Sequence, residues 1–304
     1  MPITVEEFEA VRPHLLSVAH RMLGSAHDAQ DAVQTAWLRA ATARSSRSSA
    51  PSIGNPAAWL TTVTARVCLD ELRARRRRNE APLLADAVPA AELAADEAVL
   101  RTEDVSRALM VLLSRLTPPQ RVAYVLHDLF ATPFDQVAEV LGGSVAGAKK
   151  HASRARLRLT GPRQAAERAP EWAPEQTGRP DQQVVDAFMA AARTGDTRRM
   201  IQLLAPDSVR DAEAALLPRG GRTTVTGAVD IATETAHFRD RIQAACGLVV
   251  NGRPMYLIAP GGHPFATIEI STAGRKVTRI ALRPARADDV FAAPSAGRDR
   301  LTGP

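Results

Sequence analysis

The stretch FDQVAEVLGGSVAGAKKHASRARLRL, Phe134 to Leu159, constrains the fold of this chain more than any other segment. Its first part predicts a short helix, because apolar residues recur at i, i+3, i+4 and i+7 and form one buried face. That face consists of Phe134, Val137, Ala138 and Leu141. Gly142 and Gly143 permit a sharp turn, and Ser144 can cap a following helix. The pattern therefore predicts a helix-turn-helix.

The second helix of this pair combines a small-residue inner face with a basic outer face. Its inward stripe is Val145, Ala148, Ala152, Ala155 and Leu159. Small inward residues let two helices approach closely, as a helix-turn-helix requires, and they give a membrane no aromatic side chain to take up. The outward side chains suit phosphates and base edges in the major groove of DNA: Ser144, Lys149, Lys150, Ser153, Arg154 and Arg156. A solvated basic helix in a bundle is the alternative interpretation.

A second basic helix is predicted upstream, in WLTTVTARVCLDELRARRRR, and it ends at Arg78. Five of its last six residues are arginine. Helix C-termini attract cations, which accounts for part of this run, and neutralisation of phosphates is a natural use for the rest. We expect Trp59 to be a core residue and Asp70 to pair with a nearby arginine.

Changes in composition divide the 304 residues into three ordered blocks. Residues 1–78 and 100–160 are predicted to be all-helical domains, with a loop at 44–56. Residues 79–99 are acidic, rich in alanine and interrupted by proline, and residues 161–180 are dense in proline, glycine and charge. We interpret both as linkers, the first at most partly helical. The tail, residues 286–304, is small, polar and predicted to be loose.

The third block, residues 181–285, predicts an α+β domain. DQQVVDAFMAAARTGDTRRMIQLLAPD indicates two helices, and another is expected within 225–245. Four apolar, β-branched segments separated by turns follow: GLVVNG, PMYLIAPGG, PFATIEIST and KVTRIALRP. They predict an antiparallel meander of three or four strands, and helices followed by a sheet define the α+β class.

Charge and cysteine content narrow the function classes. The net charge of +6 and an isoelectric point near 10.1 favour an anionic partner. Cys68 and Cys246 stand alone without a His/Cys cluster, so we expect reduced thiols, a cytoplasmic location and no metal site. No signal peptide and no apolar run of about 20 residues is present, so no membrane role is expected.

Both helical blocks together resemble the extracytoplasmic-function sigma factors of bacteria. LLSVAHRMLGSAHDAQDAVQTAWLRA and NPAAWLTTVTARVCLDELRARRRR match region 2 of that family. LSRLTPPQRVAYVLHDLFATPFDQVAEVLGGSVAGAKKHASRARLRL matches region 4. The resemblance implies a dissociable subunit of RNA polymerase that recognises promoter DNA, with no catalytic activity and no cofactor.

The resemblance also implies sites for each partner. The helix from Asp28 to Trp37 would dock on the clamp of the largest polymerase subunit through Asp28, Asp31, Val33, Gln34 and Trp37. The next helix and the loop before it would engage the melted −10 element, by stacking and by charge, through Trp59, Arg66, Arg73, Arg75, Arg76 and Arg77. The outward face of the helix-turn-helix listed above would read the −35 element. Gln30, Thr35 and Lys149-Lys150 depart from the residues common in the family.

The C-terminal block resembles the SnoaL-like domain that one subgroup of these sigma factors carries, an α+β cone. The resemblance lies in DAFMAAARTGDTRRMIQLLAPDSV, in NGRP at Asn251–Pro254 and in the glycine turn RGGR. It implies that this domain tunes sigma activity.

Two alternatives stay open: a cone that binds or turns over a small molecule, and a helix-turn-helix regulator that no longer engages polymerase. For turnover, the acid–base candidates are His237, His263, Asp207 and Asp211.

Overall fold

The computed structural model describes residues 3–45, 55–78, 84–102, 107–160 and 180–294. These residues form two compact units. The first contains 3–45, 55–78, 89–102 and 107–160, and the second contains 84–88 and 180–294.

The first three helices of the first unit are α1 (Val5–Leu23), α2 (Ala26–Ser45) and α3 (Pro56–Arg77). A capping box between Thr4 and Glu7 starts α1, because each side chain accepts a hydrogen bond from the other residue's backbone N–H. The three helices bury a shared apolar core: Leu15, Val18, Met22, Val33, Leu60 and Leu69. The helices predicted for residues 1–78 are therefore present, and the loop between α2 and α3 lies outside the described residues apart from its end.

Helix α4 (Ala90–Thr102) forms within and beyond the stretch predicted to be an at most partly helical linker. Its Asp96 side chain is completely buried. One carboxylate oxygen accepts the N–H of Ala26, the first residue of α2, at 2.6 Å, and lies 3.4 Å from Nε2 of the buried His20. Asp96 thus caps the N-terminus of α2, where a negative charge is favoured.

We expect Asp96→Ala to lower the free energy of unfolding by about 2–3 kcal/mol, because it removes a buried acceptor from a helix start and from His20. Asp96→Asn keeps one carbonyl oxygen at this position and should lose less. Urea unfolding followed by circular dichroism measures both variants. Equal losses for Ala and Asn would show that the negative charge, and not the capping hydrogen bond, is the important interaction.

Four helical segments complete the first unit: α5 (Arg107–Ser114), α6 (Pro118–Ala123), α7 (Phe134–Leu141) and α8 (Val145–Thr160), with a π-helical turn at Tyr124–Leu129 after α6. The Thr-Pro-Pro start predicted for α6 is confirmed. Thr117 is its N-cap, with prolines in the first turn and Gln120 completing a capping box.

Cys68 lies on α3 with none of its surface exposed, whereas Cys246 in the second unit is half-buried. Burial raises the pKa of the Cys68 thiol to about 12. The reactive thiolate is therefore scarce and inaccessible at pH 8. In a Cys246→Ser variant, we expect a disulfide reagent to label no thiol in the native chain and one in 6 M guanidinium. Rapid native labelling would show that α3 separates readily from its neighbours.

The second unit begins with α9 (Gln182–Thr194) and α10 (Thr197–Leu203) and later adds α11 (Ala228–His237) and α12 (Arg239–Gln243). Gly195 ends α9 with a positive φ of 75°, which confirms the predicted junction between two helices.

A seven-stranded sheet forms the rest of the second unit, in the order β2-β1-β6-β5-β4-β3-β7. The β1–β6 pair is parallel and every other pair is antiparallel. The strands are β1 (Leu204–Ala212), β2 (Thr224–Thr226), β3 (Ala245–Val250), β4 (Arg253–Ile258), β5 (Ala266–Ala273), β6 (Lys276–Pro284) and β7 (Phe291–Ala292). Apolar residues of the helices and of the sheet share one buried core, including Phe188, Ile231, Ile268 and Ile280. The predicted α+β class and the four-strand meander, β3 to β6, are confirmed.

Three features of the second unit differ from the sequence prediction. Strand β1 occupies residues expected to end a helix. Residues 286–294, predicted as loose tail, contain β7 and the buried Asp289, whose carboxylate binds Arg283 at 2.7 and 2.9 Å. The segment 84–88 also belongs here, since the N–H of Ala85 donates to the Pro264 carbonyl at 2.8 Å.

Candidate nucleic-acid interface

Helices α7 and α8 form the predicted helix-turn-helix. Gly142 ends α7 in the left-handed region, at φ 67°, which few residues other than glycine adopt readily. Oγ of Ser144 accepts the N–H of Gly147 at 3.1 Å and caps α8. The inner stripe of α8 is buried as expected at Ala148, Ala152, Ala155 and Leu159. Val145, the first residue of α8, was predicted to join it but is 42% exposed, which corrects that prediction.

The outer face of α8 presents its basic residues to solvent. Ser144, Lys149, Lys150, Ser153 and Arg154 are all exposed. Arg156 is also exposed, but its Nε donates to Asp128 at 2.6 Å, so part of its charge is neutralised. Burial and the neighbouring Arg154 and Lys150 lower the pKa of His151. This surface can therefore attract a polyanion.

The C-terminal half of α3 carries a second basic surface. Arg73, Arg76 and Arg77 are exposed, and Arg73 lies 3.9 Å from the Asp70 carboxylate, the kind of pairing predicted for Asp70. Trp59, at the other end of α3, is half-buried.

Arg75 differs from its neighbours because it binds Asp28 and Glu71. Burial disfavours its charge, but these carboxylates outweigh the burial and raise its pKa. Asp28 and Arg75, predicted for two different partners, therefore contact each other.

Arg66 connects α3 to the helix-turn-helix. Its guanidinium donates to both the carboxylate and the backbone carbonyl of Glu139 on α7, at 3.0 and 3.1 Å. Helix α3 also packs against α6 and α7. A side chain predicted to contact the −10 element is thus bound to the part of the chain predicted to read the −35 element.

Sequence reasoning did not identify Arg121, which lies on α6, one of the helices that α3 contacts. The residue is only 6% exposed, and its Nε donates to the backbone carbonyl of Arg21 in α1 at 3.0 Å. Burial lowers its pKa to about 9, and the charge of Arg75 adds to the effect. No carboxylate of the described residues pairs with it. Its position in RVAYVL looks like an ordinary helix surface, so the sequence offers no signal for it.

The surface of α2 predicted to contact polymerase is only partly available. Asp31 and Gln34 are exposed. Val33 is 2% exposed and belongs to the core, and the Trp37 ring packs at 4.5 Å from the Phe8 ring. The burial of Val33 corrects its assignment to an apolar docking seat, because helical spacing alone did not distinguish a docking face from a core face. Trp37 is half-buried, and its role in docking stays a prediction.

The acid–base candidates of the second unit do not converge. Asp207 and His237 are exposed, Asp211 pairs with Arg279 at 2.7 Å, and His263 is half-buried. None of the four lines the apolar cavity of this unit. Among the described residues, no group of His, Cys, Asp and Glu is arranged to hold a metal ion. None of the described helices is long and apolar enough to cross a membrane.

Comparison with protein-family models identifies both helical regions. Residues 8–78 match Sigma-70 region 2, and residues 106–159 match Sigma-70 region 4. These ranges contain α3 and the helix-turn-helix, the two basic elements described above.

Known proteins similar to the chain include ECF RNA polymerase sigma factors. The ECF RNA polymerase sigma factor SigJ of Mycobacterium tuberculosis is 45% identical over 208 residues, 67% of this chain and 62% of that relative's length. A probable ECF RNA polymerase sigma factor of the same species, SigI, is 29% identical over 90% of both chains. The crystal structure of M. tuberculosis SigJ aligns with 93% of this chain and 97% of its own, at 34% identity and a TM-score of 0.42.

Proposed function

We propose that the chain, which belongs to the extracytoplasmic-function sigma factors, binds core RNA polymerase and directs transcription initiation at a defined set of promoters. Region 2 would occupy residues 1–78 and region 4 residues 100–160. Such a factor works by binding and positioning, not by catalysis. The proposed location is the cytoplasm, where polymerase and promoter DNA are present.

The observation that carries this proposal is the basic outer face of α8. Lys149, Lys150 and Arg154 are exposed on a helix whose other side is buried and lined by alanines. This is the arrangement of a recognition helix, which needs free side chains on one face and a fixed seat on the other. The exposed arginines at the end of α3 supply the second DNA contact proposed for region 2.

The test is in vitro transcription with purified core polymerase and the full chain, on a library of promoter fragments. We expect initiation from a subset of fragments that share −10 and −35 elements. Co-elution with core polymerase but no initiation from any fragment would contradict promoter recognition. Promoter-fragment binding without any polymerase association would favour the alternative of a helix-turn-helix regulator that no longer engages polymerase.

Promoter binding by both regions requires the first unit to open. The names of the −35 and −10 elements place them about 25 base pairs apart, roughly 85 Å of duplex at ~3.4 Å per base pair. Helix α3 and the helix-turn-helix are proposed to read these two elements, and they contact each other directly through Arg66 on α3 and Glu139 on α7. The contact of α3 with the helix-turn-helix therefore defines a closed form of the first unit, and polymerase would separate the two regions.

The second unit, including residues 181–285, is proposed to tune this activity. Helices that share an apolar core with one face of a sheet match the α+β cone expected from the SnoaL-like resemblance. If the full chain and a chain ending after residue 160 initiate equally and bind polymerase with equal affinity, this regulatory role is wrong. An apolar cavity within the unit favours a second candidate function, the binding of a small molecule by the same domain.

A further inference from the structure

The second unit contains a cavity between α9, α11 and α12 and the sheet. The cavity has a volume of about 90 Å³, counted as the space open to the centres of water-sized spheres. This is below the ~300–1,000 Å³ of typical small-molecule sites, so the cavity suits only a small ligand. The walls are mostly aromatic and aliphatic, with α9 supplying Phe188 and Met189 and the sheet supplying Ile258, Ile268 and Leu282. Such walls favour an apolar ligand body over water.

Two charges in the cavity wall neutralise each other. The Arg210 side chain is 7% exposed and forms a bidentate pair with Glu234. Its remaining donors go to the carbonyls of Arg222 at 3.0 Å and Thr223 at 3.1 Å. Because the guanidinium already has these acceptors, Arg210 serves the structure of the unit and is not available to a ligand.

Arg241 carries the charge that is available to a ligand. It is exposed and lines the same cavity, with its guanidinium 5.7 Å from the centre of the Phe265 ring and 5.9 Å from that of Phe238. Both rings also line the cavity. Among the described residues no carboxylate lies within ion-pair distance of Arg241. The adjacent Asp240 pairs with Arg239, at 3.4 Å. The mouth of the cavity therefore has one uncompensated positive charge held over aromatic rings.

We propose that this cavity binds a small amphipathic carboxylic acid, with the carboxylate on Arg241 and the apolar body between α9 and the sheet. Arg241 would repel cationic ligands. Sugars and nucleotides need several polar partners, and the interior offers few because Arg210 and Glu234 satisfy each other. A guanidinium pairs with a carboxylate through two parallel hydrogen bonds, which fixes the orientation of the acid. The proposal deepens the regulatory role given above, and only its consequence for transcription rests on that role.

The experiment is calorimetric titration of the full chain with matched pairs of probes: octanoate against 1-octanol, and 2-naphthoate against 2-naphthol. We expect at least one acid to bind, and its uncharged partner to bind about tenfold or more weakly. Arg241→Gln should weaken the acid by about tenfold or more and leave the alcohol unchanged. Arg239→Gln, a change of the same kind two positions away, is the matched control and should bind like the unchanged chain.

A second measurement locates the bound acid. With ¹³C-labelled methionine methyl groups, the Met189 signal should shift on addition of the acid. The Met200 signal should not, because this buried residue does not line the cavity. The proposal is overturned if neither acid binds, if acid and alcohol bind equally, if Arg241→Gln binds the acid unchanged, or if Met200 shifts and Met189 does not. Binding requires no polymerase, so its failure would leave promoter-dependent initiation untouched, and the reverse also holds.

Discussion

Replacing Arg121 with methionine is expected to stabilise the closed first unit and to lower transcription initiation. Arg121 holds a buried charge without a carboxylate partner among the described residues. Even buried ion pairs can often be replaced by apolar side chains of similar volume with no loss of stability or with a gain of about 1–4 kcal/mol. A gain of about 2 kcal/mol shifts an open–closed ratio roughly 30-fold towards the closed form. We expect higher urea resistance together with weaker initiation.

Tryptophan fluorescence can follow the unfolding, since Trp37 and Trp59 both lie in the first unit. The control is Arg198→Met, the same substitution at an exposed site of the second unit. Glu139→Ala should act weakly in the opposite direction, because its pair with Arg66 is about half exposed and is worth under about 1 kcal/mol. Increased stability with unchanged initiation would show that opening does not limit the activity.

A second large effect is expected on the recognition helix. Replacing Lys149, Lys150 and Arg154 together with alanine should weaken binding to a −35 duplex by about two to three orders of magnitude. Loss of three phosphate contacts should also reduce the slope of log affinity against log salt by about 2.7. Fluorescence anisotropy with a labelled duplex at several salt concentrations measures both quantities.

The matched control removes three exposed arginines of the second unit, Arg198, Arg199 and Arg219, and lowers the net charge by the same amount. If the control weakens binding equally, the effect comes from total charge and not from α8. If the triple variant binds as before with the same salt slope, the recognition helix is assigned to the wrong element.

Local patterns account for what the sequence predicted well. The helix-turn-helix depends on neighbours in sequence, including Gly142 and the alanines of α8. Strands β3 and β4 meet at an Asn-Gly turn, where Asn251 and Gly252 both have positive φ, as the I′ turn of a two-residue hairpin requires. Turns and helix pairs of this kind are determined by residues that lie close together in the sequence.

Other features depend on partners far away in the chain. Strand β1 pairs in parallel with β6, more than 60 residues later, and the segment APDSVRDA does not indicate this pairing. The contacts of Arg66 with Glu139 and of Arg121 with Arg21 span 73 and 100 residues. The same holds for Val33, whose burial is determined by helix packing and could not be distinguished from a docking face by spacing.

Strand β7 has a practical consequence for anyone who shortens this protein. It pairs with β3 at the outer position of the sheet, and the Asn251 side chain joins the same region through Asp289, at 2.8 Å. A chain cut after Pro284 would lack β7, which covers the edge of β3, and would also lack Asp289, the buried partner of Arg283. Uncovered edge strands recruit strands from other molecules. Such a deletion would therefore promote aggregation, whereas a cut after residue 294 keeps this edge covered.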